Sequence, residues 1–318
     1  MRPLTSTALL IALLFAGSAT AADYPERAVR IIVPYSVGTA TEVAARSVAE
    51  GLTKVWHQGV IVDAIPGAGG IIGTQTLAKA APDGYTLGII AGAHAAQPAL
   101  GKVPYDPLKD FTPVMNIAFT PLVLVVNPDS PYKTAKEFIA AAKSKPDGLS
   151  YGSGGVGSSP HMAMQDFLSH ADVKVAHVPY KSLGQLSTDL IGGRLDASMQ
   201  AVATFVSLVQ EGKLRALGVT GPSRFPMLPD VPPLHEAVPG YIARIWIGII
   251  GPVGLPDAVV KKIYTDVSEI LKNEEMAKKL LALGVEIDIQ PAKPFWDQVE
   301  ADLERWDAVA KRAGISAR

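Results

Sequence analysis

The chain has no cysteine among its 318 residues, which excludes disulfide bonds, thiolate metal sites and cysteine nucleophiles. It has little excess charge of either sign, with 29 basic and 30 acidic residues, and no basic stripe with interleaved aromatic side chains. A nucleic-acid partner is therefore not expected. The six histidines include no pair at H-x-x-x-H spacing, so the sequence gives no support to a metal site.

Long apolar runs are also missing, apart from one near the N-terminus. That run covers residues 8–16 and is much shorter than the roughly 20 residues that a membrane-spanning helix needs. Arg2 precedes it, and the small residues at 19–22 (ATAA) offer a cleavage site. We predict that residues 1–22 are a signal peptide that is cleaved on export to the periplasm. The alternative is an uncleaved anchor.

Short β-rich runs alternate with helical stretches after residue 22, and this alternation predicts an α/β fold. In the first part of the chain, strands are predicted at 29–34, 60–64 and 85–91, with helices at 42–53 and 72–80. The second part is predicted to contain helices 135–144, 161–168 and 185–191 with strands 149–153, 173–179 and 195–199. A strand at 246–251 and helices 258–272, 275–283 and 294–313 complete the prediction. Each part therefore forms a β-α-β unit with parallel strands.

Two predicted buried strands, the continuous apolar run 122–127 and residues 215–220, bracket the second unit. Runs of this kind are typical of strands buried on both faces. We interpret them as the crossovers between a discontinuous first domain, residues 23–121 plus 222–318, and an inserted second domain, residues 122–221. Because both linkers are short, the sequence favours hinge bending between the domains over free tumbling.

Two strand-turn-helix junctions, one in each predicted domain, have matching chemistry. They are residues 31–42 (IIVPYSVGTATE) and 149–161 (LSYGSGGVGSSPH). In each, an apolar strand runs into glycine and hydroxylated residues and then into a helix. Glycine lets the backbone approach a ligand closely, and a helix start offers unpaired N–H groups at a positive dipole end. Such turns hold an anion without a charged side chain, so two of them across a cleft would hold a small acid.

The second junction also matches two enzyme motifs. Residues 152–157 fit G-x-G-x-x-G, but the next strand ends without the acidic residue that binds a ribose, which disfavours a dinucleotide. Residues 148–152 fit G-x-S-x-G, but there the turn precedes the strand, so Ser150 does not stand on a nucleophile elbow. Anion binding remains the favoured interpretation, with a purely structural turn as its alternative.

Two histidines occupy candidate ligand positions. His161 begins the helix after the second loop, where its ring either reaches a bound carboxylate or bonds to local backbone. His94 follows the third predicted strand in a similar position. Glu42 is the single acid of the first loop, which leaves no catalytic pair of carboxylates. It either complements the helix dipole or faces the ligand. The other histidines are interpreted as surface or packing residues: His57, His170, His177 and His235.

Short landmarks follow one another in a fixed order along the chain. They are IIVPY at 31–35, PGAGG at 66–70, APDGYTL at 81–87, PYDP at 104–107, VVNP at 125–128, the loop at 151–161, HVPYK at 177–181, and LRAL at 214–217. Each is weak alone, but their joint order is specific. Over essentially the whole mature chain, the sequence resembles the periplasmic substrate-binding proteins of tripartite tricarboxylate transporters, the Bug or TctC-like family.

The resemblance implies an α/β fold of the two-lobed, type II-like periplasmic binding protein kind. Each lobe would be a mostly parallel sheet flanked by helices, with the ligand cleft between the lobes. The protein would be a monomeric solute-binding protein without cofactor, not an enzyme. It would capture a small organic acid and deliver it to the membrane subunits of a tripartite tricarboxylate transporter. Alternatives are a secreted enzyme acting on a small organic acid and a ligand-binding sensor partner.

The resemblance also assigns ligand binding to the loop after the first strand and to the glycine-serine loop of the second domain. With nearby polar residues, the predicted ligand-binding set is Tyr35, Ser36, Gly38, Thr39, Thr41, His94, Ser153, Gly155, Gly157, Ser158, Ser159, His161 and Gln200. The first loop departs from the family's common Pro-Gly-Gly followed by Asp. Val37 and Thr39 add side chains where that pattern leaves backbone exposed, so a first carboxylate is expected to sit differently. Gln200 favours hydrogen bonding to a neutral or anionic group.

Overall fold

The computed structural model describes residues 24–146 and 148–315, so the predicted signal peptide lies outside the described residues. The strands are β1 Val29–Val33, β2 Val60–Ala64, β3 Thr86–Ala91, β4 Phe111–Val126, β5 Ser150–Ser153, β6 Ala176–Pro179, β7 Ala197–Ala201, β8 Arg215–Val219, β9 Arg244–Pro252 and β10 Glu286–Pro291. The α-helices are α1 Ala40–Trp56, α2 Ile71–Ala78, α3 Ala93–Leu100, α4 Ala135–Ser144, α5 Ser159–His170, α6 Leu183–Ile191, α7 Val202–Gln210, α8 Asp257–Leu271, α9 Glu274–Ala282 and α10 Ala292–Ala313. No helix in the described ranges is both long enough and apolar enough to cross a bilayer.

One long strand, β4, belongs to both halves of the molecule. From Phe111 to Pro121 it pairs with β9, in a first sheet of order β2-β1-β3-β9-β4 that β10 joins. From Leu122 to Val126 it pairs with β7 and β8, in a second sheet that continues through β5 to β6. The partners of β4 therefore change between Pro121 and Leu122, and the strand joins the two lobes.

The α/β class is confirmed, with one correction to the expectation of mostly parallel sheets. Pairing is parallel in β2-β1-β3 and in β6-β5-β7, as the β-α-β units predict. The strands β4, β8, β9 and β10 pair antiparallel. The reason is topological: β4 runs from the first lobe into the second, and β8 and β9 lie on the way back, so they run opposite to it.

Most element boundaries agree with the prediction to within three residues, and 60–64 and 135–144 agree at both ends. The sequence did not reveal α3, α7, β10 or the first part of β4. Pro98 lies inside α3, and Pro113 and Pro121 lie inside β4. Proline argues against both helix and strand interiors. In β4 the register shifts between Pro113 and Met115, so a bulge accommodates the first proline.

Side-chain caps fix where two helices begin. At the start of α4, the Thr134 hydroxyl accepts from the Glu137 N–H at 3.2 Å, and the Glu137 carboxylate accepts from the Thr134 N–H at 3.3 Å. This reciprocal pair is a capping box. At the start of α1, the Thr39 hydroxyl accepts from the Glu42 N–H at 3.4 Å. Both caps satisfy N–H groups that a helix start otherwise leaves unpaired.

Helix α10 contacts elements of both lobes. It packs Phe295 against Trp246 of β9, with ring centroids 5.3 Å apart. Further along, Arg305 donates to the buried Asp166 carboxylate of α5 at 2.5 Å. A buried carboxylate needs such a partner, because an unpaired charge away from water is costly. Helix α10 thereby ties a second-lobe helix to a first-lobe strand.

Candidate functional site

Three loops meet at the carboxyl ends of parallel strands. The loop of residues 34–39 joins β1 to α1, that of 65–70 joins β2 to α2, and that of 154–158 joins β5 to α5. We call them the first, middle and second loops. A Cβ on Gly70 would lie 3.0 Å from Cε1 of Tyr35, so the first and middle loops touch. Open α/β sheets bind ligands at this end of their strands, which makes the three loops the candidate site.

Hydrogen bonds with nearby side chains hold the backbone of the first loop in place. The Thr39 hydroxyl donates to the Ser36 carbonyl at 3.0 Å, and the Gly38 N–H donates to the Glu42 carboxylate at 3.2 Å. Gly38 has φ +84°, a conformation that favours glycine. The Glu42 side chain is only 3% exposed and forms an ion pair with Arg46. Of the two sequence interpretations for Glu42, the contacts favour support of the loop and the helix start.

Two other predicted residues anchor the first loop. The Tyr35 hydroxyl accepts from the Ala91 N–H at 3.1 Å and donates to the Ala91 carbonyl at 3.3 Å, which ties the loop to β3. Burial raises the pKa of Tyr35 well above its usual value, so the hydroxyl stays neutral. Thr41 is buried in the first turn of α1, and Ser36 is exposed.

The second loop is built from glycines and serines that bond to each other. Gly155 and Gly157 have φ +112° and +77°, which only glycine adopts without strain. The Ser158 hydroxyl accepts from the His161 N–H at 3.3 Å and donates to the Gly155 carbonyl at 2.9 Å, and so caps α5. The Ser153 hydroxyl accepts from the Gly155 N–H at 3.3 Å. Apart from Gly155 and its two chain neighbours, no described residue has an atom within 4 Å of the position that a Gly155 Cβ would occupy, so a ligand can approach the backbone there.

Two imidazoles contact each other beside the second loop, with their planes tilted by 31°. The Gly157 N–H donates to Nδ1 of His161 at 3.1 Å, so a neutral His161 carries its proton on Nε2. Its ring centroid is 4.0 Å from that of His177, whose Nε2 lies 2.7 Å from the Ser153 Oγ. Desolvation lowers the pKa of His161 to about 3, with a smaller contribution from His177. Desolvation also lowers the pKa of His177 to about 4. Both rings are therefore neutral at pH 7.

His177 was not singled out from the sequence, because its position depends on strand register. The parallel pairing of β5 with β6 puts His177 opposite Tyr151, two residues before β5 ends at the second loop. The two rings stack with centroids 4.9 Å apart. A histidine at the carboxyl end of a predicted parallel strand was the available signal.

Gln97 of α3 joins the middle loop to the second loop. Its Nε2 donates to the Gly69 carbonyl at 3.3 Å and to the Gly157 carbonyl at 3.2 Å, and so bonds both lobes at once. A Cβ on Gly157 would lie 2.3 Å from Cδ1 of Leu100 and 2.7 Å from the Gln97 amide nitrogen. Gly157 therefore allows the close approach of the two lobes. Gln97 could not be identified from the sequence because α3 was not predicted.

The remaining predicted residues are not all brought to the loops. His94 stacks on Tyr105 and packs edge-on against Phe111, and its Nε2 lies 2.8 Å from the Pro107 carbonyl. Desolvation lowers the pKa of His94 to about 4. Its ring lies in an aromatic cluster of the first lobe, apart from the second loop.

Gln200 and Ser159 lie nearer to the site. Gln200 is buried in β7, with its Nε2 3.5 Å from the Ser198 hydroxyl, which donates to the Gly152 carbonyl at 2.9 Å. Ser159 is buried beside Gly92, where a glycine Cβ would lie 3.4 Å from its Oγ. Neither residue makes a contact that identifies a ligand role by itself.

Two surface grooves lie away from the three loops. One, of about 310 Å³, is lined by residues of α1 and β2, including Glu50 and Lys54. The other, of about 360 Å³, lies beside Asn127 and Asp196 at the far side of the second lobe. Neither groove contains a predicted ligand-binding residue, and we do not assign the site to them.

The chain is similar to known proteins along most of its length. Residues 44–315 match the family described as the tripartite tricarboxylate transporter family receptor. The chain is 33% identical to the UPF0065 protein in the tcbD-tcbE intergenic region of Pseudomonas sp. strain P51. That alignment spans 314 residues, 96% of this chain and 94% of the relative.

Solved structures share the fold. The Rpa4515 protein of R. palustris, solved with adipate, superposes with a TM-score of 0.86 at 32% identity, over 93% of this chain and 100% of that chain. The periplasmic binding protein BugD gives 0.83 at 29% identity, over 93% and 100%. MatC from Rhodopseudomonas palustris, solved with bound malate, gives 0.81 at 30% identity, over 90% and 99%. The fold predicted from the resemblance is thereby confirmed.

Proposed function

Because the chain belongs to the tripartite tricarboxylate transporter receptor family, we propose that it is a periplasmic solute-binding protein that captures a small carboxylate between its lobes. The protein then delivers this ligand to the membrane subunits of a tripartite tricarboxylate transporter. It acts as a monomer, after removal of residues 1–22. Two similar structures hold adipate and malate, which are small organic acids, and they support a carboxylate as the ligand class.

The observation that carries this proposal is the second loop at the start of α5. Gly155 leaves the backbone open, the α5 N-terminus provides a positive dipole end, and Ser158 and His161 lie at this helix start. The neutral His161 can donate its Nε2–H to a carboxylate oxygen, because the Gly157 N–H already occupies Nδ1. Hydrogen bonds to a charged acceptor contribute about 1.5–3 kcal/mol each. A few of them support micromolar binding, about −8 kcal/mol, after ordering costs.

Closure of the two lobes is the second part of the proposal. We assign residues 23–121 plus 222–318 to the first lobe and 122–221 to the second, with the change of β4 partners at Pro121 and Leu122 in support. Gln97 is placed to stabilise the closed form, because it bonds a loop of each lobe. A ligand shifts this equilibrium only by the difference between its affinities for the open and closed forms.

A secreted enzyme is the second candidate, and one contact favours it. The Ser153 Oγ lies 2.7 Å from the His177 Nε2, within the distance of a nucleophile and its base. Ser153 is fully buried, however, and no described carboxylate accepts a bond from His177 to orient it. The Ser153 hydroxyl therefore stabilises the second loop, and ligand binding is a better interpretation of this site than catalysis. A sensor role would use the same site and differ only in the partner.

Calorimetric titration of the mature protein with aliphatic and aromatic carboxylates tests the proposal. The His161→Ala variant should weaken binding about tenfold, the equivalent of one charge-assisted hydrogen bond. The Ser158→Ala variant should weaken binding as well, because it removes the hydroxyl that holds the Gly155 carbonyl and caps α5. Ser144→Ala is the matched control, since its hydroxyl bonds only the Ala141 carbonyl of α4 at 2.8 Å. Product formation from the acid would support the enzyme instead. Equal affinity in all three variants would remove the second loop from the site.

A further inference from the structure

One stripe of side chains on α5 faces the first lobe. It contains Ser159, Met162 and Asp166, whose spacings of three and four residues put them on one face of a helix. The Ser159 Oγ lies 3.4 Å from the position of a Cβ on Gly92, which follows β3. The buried Met162 belongs to the same core cluster as Trp246 of β9. The helix that begins at the second loop is therefore also a surface on which the two lobes meet.

The Asp166 end of this stripe carries a buried charge. The Asp166 side chain is 1% exposed, and its carboxylate accepts from Nη2 of Arg305 at 2.5 Å. From the other carboxylate oxygen, Nδ1 of His170 lies 3.2 Å away and Nη2 of Arg312 lies 3.7 Å away. Separating a buried carboxylate from its cation is costly, because the charge is left buried and uncompensated. The Asp166–Arg305 pair therefore keeps α5 and α10 together at this end.

The same nitrogen of Arg305 also bonds a segment that leads into the first sheet. It donates to the Ile242 carbonyl at 2.9 Å. Two residues further on, Arg244 pairs with Pro121, the last residue of β4 that pairs with β9. The ion pair is thus held close to the place where the chain passes from one lobe to the other.

The contacts at the N-terminal end of α5 are neutral. The Gln97 amide donates to the Gly157 carbonyl at 3.2 Å, and Ser159 lies beside Gly92. A neutral hydrogen bond is exchanged for one with water when it breaks, so it opposes separation much less than a buried ion pair does. When the lobes move apart, the contacts at the N-terminal end of α5 should therefore break before the Asp166–Arg305 pair.

From this asymmetry we infer that the Asp166–Arg305 pair is the pivot of lobe closure, and that Arg305 is a positioning residue for ligand binding. Through Asp166 it holds the far end of α5 against the first lobe, so rotation about the pair brings the second loop towards the other two loops. The inference rests on the proposed function, since it describes how the same site closes. Without the pair, the three loops are correctly arranged in a smaller share of the molecules. The apparent Kd rises in inverse proportion to that share.

Spin-label distances test the pivot without a ligand. Because the chain has no cysteine, Lys79→Cys in the first lobe and Lys143→Cys in the second give the only two labels, and both lysines are exposed. The test variant combines Asp166→Leu with Arg305→Met, because removing both charges of a buried pair is tolerated better than removing one. In double electron–electron resonance, this variant should give a broader distance distribution than the parent protein.

Two further variants show whether the broadening belongs to this pair. Asp307→Leu with Lys311→Met is the matched control, since that ion pair of 2.6 Å lies on the surface of α10 alone and its removal should leave the distribution unchanged. Arg305→Lys keeps a cation opposite Asp166 and should stay close to the parent. An unchanged distribution in the test variant, or equal broadening in the control, would overturn the inference.

Calorimetric titration with adipate and malate connects the pivot to binding. If the parent-like distance population falls to about a tenth in the test variant, its apparent Kd should rise about tenfold. A broader distribution with an unchanged Kd would overturn the role of Arg305 in ligand binding. Failure of the parent protein to bind either acid would count against the proposed ligand class, whereas the label distances would still decide whether the pair is the pivot.

Discussion

At the scale of single residues, three neutral histidines set how the fold responds to acid. Desolvation lowers the pKa of His94 and of His177 to about 4 and that of His161 to about 3. In the unfolded chain these rings titrate near pH 6.5. Below that pH the unfolded chain binds protons that the folded protein does not. Stability is therefore expected to fall as the pH drops from about 6.5 towards 4, and to be fully present above 6.5.

The His94→Phe variant isolates one of these rings. Phenylalanine suits the cluster of Tyr105 and Phe111 but has no proton to bind. Urea unfolding at pH 7 and pH 4.5 should show that the variant loses about 2–3 kcal/mol less stability than the parent between these pH values. His57→Asn is the control, since His57 is exposed and asparagine tolerates its φ of 52°. If the variant loses as much unfolding free energy between pH 7 and pH 4.5 as the parent, His94 is not held neutral in the folded protein.

The candidate site could be predicted from the sequence as far as its residues follow one another in the chain. The glycines and serines of the second loop and His161 fall within one strand-turn-helix pattern, and the structure has them together. His177 and Gln97 could not be predicted, because one depends on the register of β6 and the other on the packing of α3. His94 shares the local pattern of a site residue, but its ring packs among aromatics. Local pattern does not tell which way a side chain points.

At the scale of helices and strands, α1 and α4 offer a comparison between two caps. Thr39 and Thr134 both accept an N–H three residues on, but only Thr39 lies in the candidate site. Thr39→Ala and Thr134→Ala should each lower the free energy of unfolding by about 1 kcal/mol. Only Thr39→Ala should also weaken ligand binding, because it releases the first loop. The measurements are urea unfolding and calorimetry, and weaker binding in Thr134→Ala would argue that the caps act through overall stability.

The elements that could be predicted are those whose apolar residues are regularly spaced between turn signals. Strands such as β2 and helices such as α4 have regular apolar spacing between clear turn signals, and their bounds were found. The first part of β4 was missed because Pro113 and Pro121 argue against a strand. In the structure, pairing with β9 from Phe111 to Pro121 overrides that local preference. The antiparallel directions were missed because direction depends on topology, which no local pattern encodes.

At the scale of the whole molecule, the two lobes are connected in more than one place. The strand β4 runs through both sheets, and Arg305 of α10 bonds Asp166 of α5. The chain that returns from β8 packs Tyr241 into the second-lobe core, where its hydroxyl donates to the Ala163 carbonyl at 2.9 Å. The domain boundaries at 121/122 and 221/222 stay a prediction. The contact of Tyr241 indicates that the second-lobe core also takes in residues beyond 221.

The place of β9 in the first sheet has a consequence for the order of folding. This strand lies between β3 and β4, although the whole second lobe separates it from β3 in the chain. The first lobe therefore depends on contacts between distant residues, which are slow to form because loop-closure entropy must be overcome first. We expect residues 24–126 alone to remain unfolded by circular dichroism and the full chain to unfold in one cooperative transition. A folded fragment would contradict this expectation. The N-terminal lobe is therefore expected to fold only when β9, which lies in the last third of the chain, is available to pair with β3 and β4.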